Sequence, residues 1–212
     1  CAVRHQGETV FREVDQPFSG LHRTRRTGAR TFDVWSLRKK KYQIGETVAL
    51  SMNNCRETAG AFFSESSDLA VAQVTVNYLH GFGWLTQMCR DVSFTGVHFH
   101  PDSQHHVSSF ADCIHVCGCK GTVTIKDCSF TQAHDDAINI HGVFLRFVRR
   151  VDDHTAVFQF VHRQQGGYRA FFPGDTVRFY YRSSLQPCGE ENIVAAAEDD
   201  IDAKTCRSEE HT

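Results

Sequence analysis

Hydrophobic and polar residues alternate in short runs through the middle of this chain. Leu69, Val71, Val74 and Val76 mark one run, and Val92, Phe94, Val97 and Phe99 a second, with a shift of register at Gly96. Val123, Ile125, Cys128 and Phe130 mark a third. Each run has period two and ends in a polar turn, the pattern of a half-buried strand. A second short strand is expected after each, at 83–88 (GWLTQM), 112–116 (DCIHV) and 136–140 (DAINI). The last two start at Asp112 and Asp136, 24 positions apart. Leu85, Ile114 and Ile138 take matching places in the three phrases, as do Thr86, His115 and Asn139.

A strand phrase that returns every twenty-odd residues, with no helical period between, marks a solenoid. One turn cannot bury its own apolar face, so successive turns stack and share a core. The fold expected is all-β, a right-handed parallel β-helix with Leu85, Ile114 and Ile138 in one inward ladder. A β-sandwich is the alternative, since short strands with turns also build that fold. Gln43–Leu50 (QIGETVAL) and Phe172–Phe179 (FPGDTVRF) share a Gly, an acid and Thr-Val. These two pieces could belong to one small β-barrel.

The expected organisation is a basic, poorly periodic segment over 1–40, a β-helical core over 41–182 with barrel-like strands near 43–50 and 172–179, and a tail over 183–212. The charge clusters at 23–30 and 38–41 are expected to be solvated loop. Residues 207–212 (RSEEHT) resemble a translated sequencing adapter and are set aside as an artefact, and the acidic stretch 195–203 is expected to be frayed. The chain starts at Cys1 with no apolar signal core, so it reads as a fragment or a processed chain.

Composition narrows the functions. Lys+Arg is 23 against Asp+Glu 25, a net charge of -2, which argues against a nucleic-acid binder. No apolar run is long enough to span a membrane. The 17 Phe and only 4 Pro among 212 residues suit sheet. Cys113, Cys117, Cys119 and Cys128 cluster, but their spacing matches no zinc ribbon or finger. Buried thiols in a stacked core account for them better, and no structural metal is expected.

The candidate chemistry lies in the acids. Stacked strands lie about 4.8 Å apart, so Asp112 and Asp136 should be neighbours, with Asp135 aimed differently. Three acids so close should not all ionise alike, leaving one as a proton donor while two hold a water. Inverting glycoside hydrolysis needs that division, with an acid-to-base gap of about 6.5–9.5 Å. The bland alternative is an Asp ladder that caps turns or binds calcium.

The phrases SFADCIHV (109–116), HDDAINIHG (134–142), HGFGWLTQ (80–87), DDHT (152–155) and QQGG (164–167) resemble glycoside hydrolase family 110. That resemblance implies a parallel β-helix and an inverting, metal-independent and cofactor-free α-1,3-galactosidase. Terminal α-galactosyl oligosaccharides or glycoproteins, such as blood-group B and linear α-galactosyl structures, are the implied partners. It also implies Asp135 as proton donor, with Asp112 and Asp136 positioning and activating water. Two departures stand out. Cys113 sits where the family phrase A-D-G-I-H has Gly, and family members are considerably longer.

Neighbouring residues are candidates for substrate binding. Trp84 could stack under a galactose ring, and His115, Asn139 and His141 could hydrogen-bond its hydroxyls. Gln164 and Gln165 suggest a polar loop at the rim. The competing enzyme is an inverting hydrolase of another α-linked sugar, polygalacturonase-like, which would need cations near the cleavage site. The competing non-enzyme is a glycan-binding β-helix fragment, truncated and inactive. A secreted or periplasmic location is expected, and the oligomeric state is not legible.

Overall fold

The computed structural model describes residues 2–5, 8–11, 21–36, 58–162, 165–200 and 205–211. The described residues are all-β, as the alternation predicts, and no helix is long and apolar enough to cross a membrane. They divide into two compact units, Cys1–Ile140 and His141–Thr212. The expected strand at 43–50 and the charge cluster at 38–41 lie outside the described residues.

The first unit opens with two antiparallel hairpins. One joins β1 (Ala2–His5) to β2 (Glu8–Phe11), and the other joins β3 (Leu21–Arg26) to β4 (Phe32–Ser36). The basic run expected as loop thus begins as a strand. Cross-strand chemistry explains it: Arg25 reaches Asp33 at 2.6 Å, and the Arg23 and Arg25 guanidinium groups lie over the Trp35 ring at 5.4 and 5.6 Å.

The rest of the unit is a stack of parallel strands. In chain order these are β5 (Ala59–Ser64), β6 (Ser67–Val76), β7 (Phe82–Gln87), β8 (Arg90–Phe99), β9 (Ile114–Cys117), β10 (Lys120–Lys126), β11 (Ser129–Phe130) and β12 (Ile138–His141). One sheet has the order β12–β9–β7–β5, and β6, β10 and β11 all pair with β8 in another. The parallel bridges Leu79↔Ser109 and Ser109↔Ala133 form a third, shorter column. Along the second sheet Leu69, Val92 and Val123 stand in register, as do Val71, Phe94 and Ile125. Their side chains meet Trp84, Phe99, Ile114 and Val116 in one core. Shared ladders bury apolar surface that no single turn could bury alone.

Left-handed backbone recurs at matching places in successive turns. Glu65, Met88 and Gly118 form one set, Asp68, Asp91 and Gly121 a second, and Gln73, Gly96 and Asp127 a third, with φ between 48° and 70°. These residues bend the chain at the same level in each turn, and the shift read at Gly96 is one of those bends. A Cβ at Gly96 would lie 2.2 Å from Nε2 of Gln73, the far end of a flexible side chain, and Gln73 and Asp127 take the same left-handed conformation at the matching places without being Gly.

The register corrects one expectation. Trp84, not Leu85, pairs with Ile114, and Leu85 pairs with His115. The phrase at 83–88 is therefore set one residue earlier than its motif alignment implies. Because side chains alternate, that single step sends Trp84 into the core and Leu85 to the other face. The alignment of 112–116 with 136–140 needs no such shift. Cys113 N–H donates to the Asp136 carbonyl at 2.9 Å and Ile114 N–H to that of Ala137 at 3.2 Å. Trp84 N–H makes the same offset bond to Cys113 O in the Trp84–Ile114 pair. Asp112 thus stands opposite Asp136, Ile114 opposite Ile138, and His115 opposite Asn139. Cys113 packs fully buried in the core, and burial pushes its thiol pKa up to about 11.

The second unit carries β13 (Leu145–Arg150), β14 (Thr155–Phe160), β15 (Thr176–Tyr180), β16 (Pro187–Asp200) and β17 (Thr205–His211). They form an antiparallel five-stranded sheet in the order β13–β14–β17–β16–β15, with β13 and β15 as its edges among the described residues. Phe158, Phe160, Phe171 and Val194 head its core. The phrase at 172–179 supplies β15 after a turn in which Asp175 Oδ2 accepts from Phe172 N–H at 2.9 Å. The segment read as a tail supplies β16 and β17.

Candidate active site

Two turns of the stack bring three carboxylates together. Asp112 opens the phrase that leads into β9, two residues before the strand, and Asp135 and Asp136 precede β12. One oxygen from each of Asp112, Asp135 and Asp136 lies within 4.8 Å of the others. Strand stacking predicts this proximity of Asp112 and Asp136, and the structure adds Asp135 to the same cluster. The gap expected between acid and base, about 6.5–9.5 Å, is wider than these nearest-oxygen separations.

The three acids have unlike surroundings. Asp112 is 3% exposed, and His115 Nδ1 donates to its Oδ2 at 2.6 Å. The imidazole is in turn met edge-on by Phe82, with ring centroids 5.2 Å apart. Asp135 and Asp136 are exposed, and the Asp136 N–H donates back to Asp135 Oδ1 at 3.2 Å. Asn139 Nδ2 stands 3.5 Å from Asp136 Oδ2, at the limit of a hydrogen bond. Asp112 and Asp136 thus each have a polar partner three residues on, His115 and Asn139.

His134, the residue before Asp135, is a different kind of neighbour. Burial pushes its imidazole pKa down to about 4, and its Nε2 is buried without a hydrogen-bond partner among the described residues. The imidazole is therefore favoured in its neutral form, which still carries one N–H donor and one acceptor nitrogen. Three carboxylate oxygens so placed are hard donors of the kind that calcium or magnesium accepts, although exposed acids also cluster without an ion.

The other sequence candidates fall in different places. Trp84 is 7% exposed and packs against Phe63, Phe94 and Phe99 at 6.2, 5.9 and 5.4 Å. A ring enclosed by other rings offers no face to a sugar, so the expectation that Trp84 stacks on galactose is corrected. His141 is the last residue of β12, at the boundary of the two units, and its Nδ1 donates to the Gly142 carbonyl at 2.8 Å. Gln165 lies within the second unit, with its N–H donating to the His162 carbonyl at 3.0 Å, and Gln164 is outside the described residues. Phe82 is the neighbour that sequence reasoning missed. Its signal was the same one-residue shift: with Trp84 opposite Ile114, Phe82 falls opposite Asp112.

An all-β stack that presents grouped carboxylates at the entry to adjacent strands is an architecture suited to carbohydrate chemistry. Comparison with known proteins points the same way. Residues 155–199 match the family described as GLAA-B beta-barrel domain II. The chain is 35% identical over 144 residues to a protein of Bacteroides fragilis named alpha-1,3-galactosidase B, covering 66% of this chain and 24% of that protein. It is 33% identical over 161 residues to alpha-1,3-galactosidase A of Bacteroides thetaiotaomicron, covering 74% of this chain and 28% of the relative. Against alpha-1,3-galactosidase A of Peterkaempfera griseoplana it is 40% identical over 132 residues, 61% of this chain and 18% of the relative. The resemblance to α-1,3-galactosidases read from the motifs is thereby borne out. The chain spans about a quarter of the length of the curated relatives it matches.

Proposed function

We propose that this chain carries the acid cluster of an inverting glycoside hydrolase that removes terminal α-1,3-linked galactose. Glycans such as blood-group B and linear α-galactosyl structures are its substrates, and it works outside the cytoplasm, where such glycans are met. The stack of parallel strands is read as part of a right-handed parallel β-helix. The observation that carries the reading is the convergence of Asp112, Asp135 and Asp136 within 4.8 Å, in a chain similar to proteins named alpha-1,3-galactosidase.

The roles follow from surroundings. A carboxylate that accepts from an imidazole N–H is placed as an acceptor, so Asp112 takes a proton from the attacking water. Asp136, opposite it on the next strand, holds the same water. Asp135 gives its proton to the glycosidic oxygen as the bond from that oxygen to C1 breaks. Water then forms the new bond to C1, and its proton passes to Asp112. His115 and Asn139 keep the two water-holding acids in place.

The tight spacing favours a second reading. Carboxyl groups about 5–5.5 Å apart are typical of retaining enzymes, in which one acid attacks C1 directly. The first anomer released decides between them. Inversion gives β-galactose in the earliest NMR spectra, and initial α-galactose overturns the water-activating roles. Asp135→Asn is expected to lower turnover about a hundredfold or more, the scale of lost general-acid catalysis. A substrate with a good leaving group should restore more activity to Asp135→Asn than to Asp112→Asn or Asp136→Asn. Wild-type turnover in Asp135→Asn would remove it as the donor.

A further inference from the structure

Four rings stand in contact along the turns that lead to Asp135. His134 precedes that residue and meets Phe110 edge-to-face, with centroids 4.8 Å apart. Phe110 meets Tyr78 edge-to-face at 6.2 Å, and Tyr78 stacks on His105 at 4.2 Å with the planes 14° apart. The fold assembles this row. The bridges Leu79↔Ser109↔Ala133 stack three turns, and Tyr78, Phe110 and His134 each adjoin one bridged residue.

His105 comes from a longer connection. Leu69 and Val92 are register partners 23 positions apart, whereas Val92 and Val123 are 31 apart. Most of the extra length lies between Phe99 and Ser109. Within it, Asp102 Oδ1 accepts from the N–H groups of Gln104 and His105 at 2.9 and 3.1 Å and pairs with His105 Nδ1 at 2.7 Å. These bonds hold the imidazole on the Tyr78 ring. The core does not consume that ring: Tyr78 keeps 39% of its surface exposed.

Aromatic rings are the surfaces on which sugars rest their C–H faces, with a polar edge at hand for hydroxyls. We propose that Tyr78, Phe110 and His105 form the wall that binds the leaving-group saccharide, the part of the glycan beyond the terminal α-galactose. This rests on the reading of Asp135 as proton donor. A donor must touch the glycosidic oxygen, so the leaving sugar lies on its side of the bond. The ring row starts at His134, the residue next to Asp135 in the chain, and continues through Phe110 and Tyr78 to His105. His134, edge-to-face with Phe110, is the start of that wall, and His105 and the Tyr78 hydroxyl supply a polar edge. The substrate class that such a wall favours is an oligosaccharide, with a further sugar on the leaving side, over a simple galactoside.

The test is binding of lactose, a leaving-group saccharide, to the full 212-residue chain in the presence of saturating galactose, followed by NMR titration. Galactose occupies the terminal position, so lactose reports the leaving side. Tyr78→Ala and Phe110→Ala are each expected to weaken lactose about tenfold, roughly 1.4 kcal/mol, with galactose affinity unchanged. Tyr78→Phe keeps the stacking face and should retain most of the binding. It also separates a lost wall from a lost fold, as does an amide spectrum of each variant. Lactose binding that survives both alanine substitutions overturns the proposal, as does the absence of lactose binding to the wild-type chain. Turnover plays no part in this readout, so failure of the Asp135 assignment shows separately as unimpaired hydrolysis by Asp135→Asn.

Discussion

Two stretches of this chain carry nearly the same phrase and live in different surroundings. In 112–116 (DCIHV) the acid is 3% exposed, Ile114 is fully buried and His115 is bonded to Asp112. In 136–140 (DAINI) the acid is exposed, and Ile138 and Ile140 are 39% and 55% exposed. The backbone register matches residue for residue. What differs is company: β9 has β7 on one side and β12 on the other, while β12 ends the order of its sheet. In a stacked fold, a phrase sets which residues face inward, and neighbouring turns decide how deeply they are buried.

That contrast sets the largest expected effect on stability. Ile114→Ala should cost about 2–5 kcal/mol, the range for deleting a buried aliphatic side chain, while Ile138→Ala should cost well under half as much. Urea unfolding of the two variants reads the difference directly. Equal losses would mean that β12 is covered in solution as β9 is.

The acids should divide the same way in stability and not in activity. Asp112→Asn removes the charged acceptor of a buried hydrogen bond, and charge-assisted bonds contribute about 1.5–3 kcal/mol. Asp136→Asn, at the surface, should stay within about 0.5 kcal/mol of wild type. Thermal melts measure both. A neutral Asp112→Asn would show that the His115 bond does not hold that turn together.

Gly83 tests how closely β7 must approach β9. A Cβ there would meet the carbonyl oxygens of Cys113 and Asp112 at 2.1 and 2.2 Å, both backbone atoms that cannot rotate aside. Gly83→Ala should therefore push the Asp112 turn away and cost about 1–3 kcal/mol, the range for overpacking. Gly142 has nothing within 4 Å of its added Cβ, so Gly142→Ala is the control for an unobstructed site.

At neutral pH the smallest effect comes from the thiols. Cys113 and Cys119 have pKa values raised from 9.0 to about 11, with burial as the leading cause. Between these values the folded chain keeps protons that the unfolded chain has released. Stability should therefore fall as pH rises from about 9 to about 11, and should be untouched by these groups below about 8. Chemical denaturation at stepped pH checks the slope, and Cys113→Ala should flatten part of it. The same burial should keep Cys113 unreactive toward iodoacetamide in the native chain at pH 8.

By itself the sequence determined the all-β class, the main strand runs, the 24-residue alignment of Asp112 with Asp136, and the likeness to α-1,3-galactosidases. These are legible because a period of two and a repeated phrase are local properties, and because acids at one level of a repeat must stack. It did not determine the register of 83–88. A shift of one residue leaves the motif almost as well matched, yet it moves Trp84 from a sugar-binding candidate into a core of rings. Only the tertiary structure chose, because the core has room for the indole among Phe63, Phe94 and Phe99. Tertiary structure also paired His115 with Asp112, through one 2.6 Å bond. It likewise joined Tyr78, His105, Phe110 and His134, which are scattered along the chain, into one row, since lateral contacts between turns have no signature in any one of them.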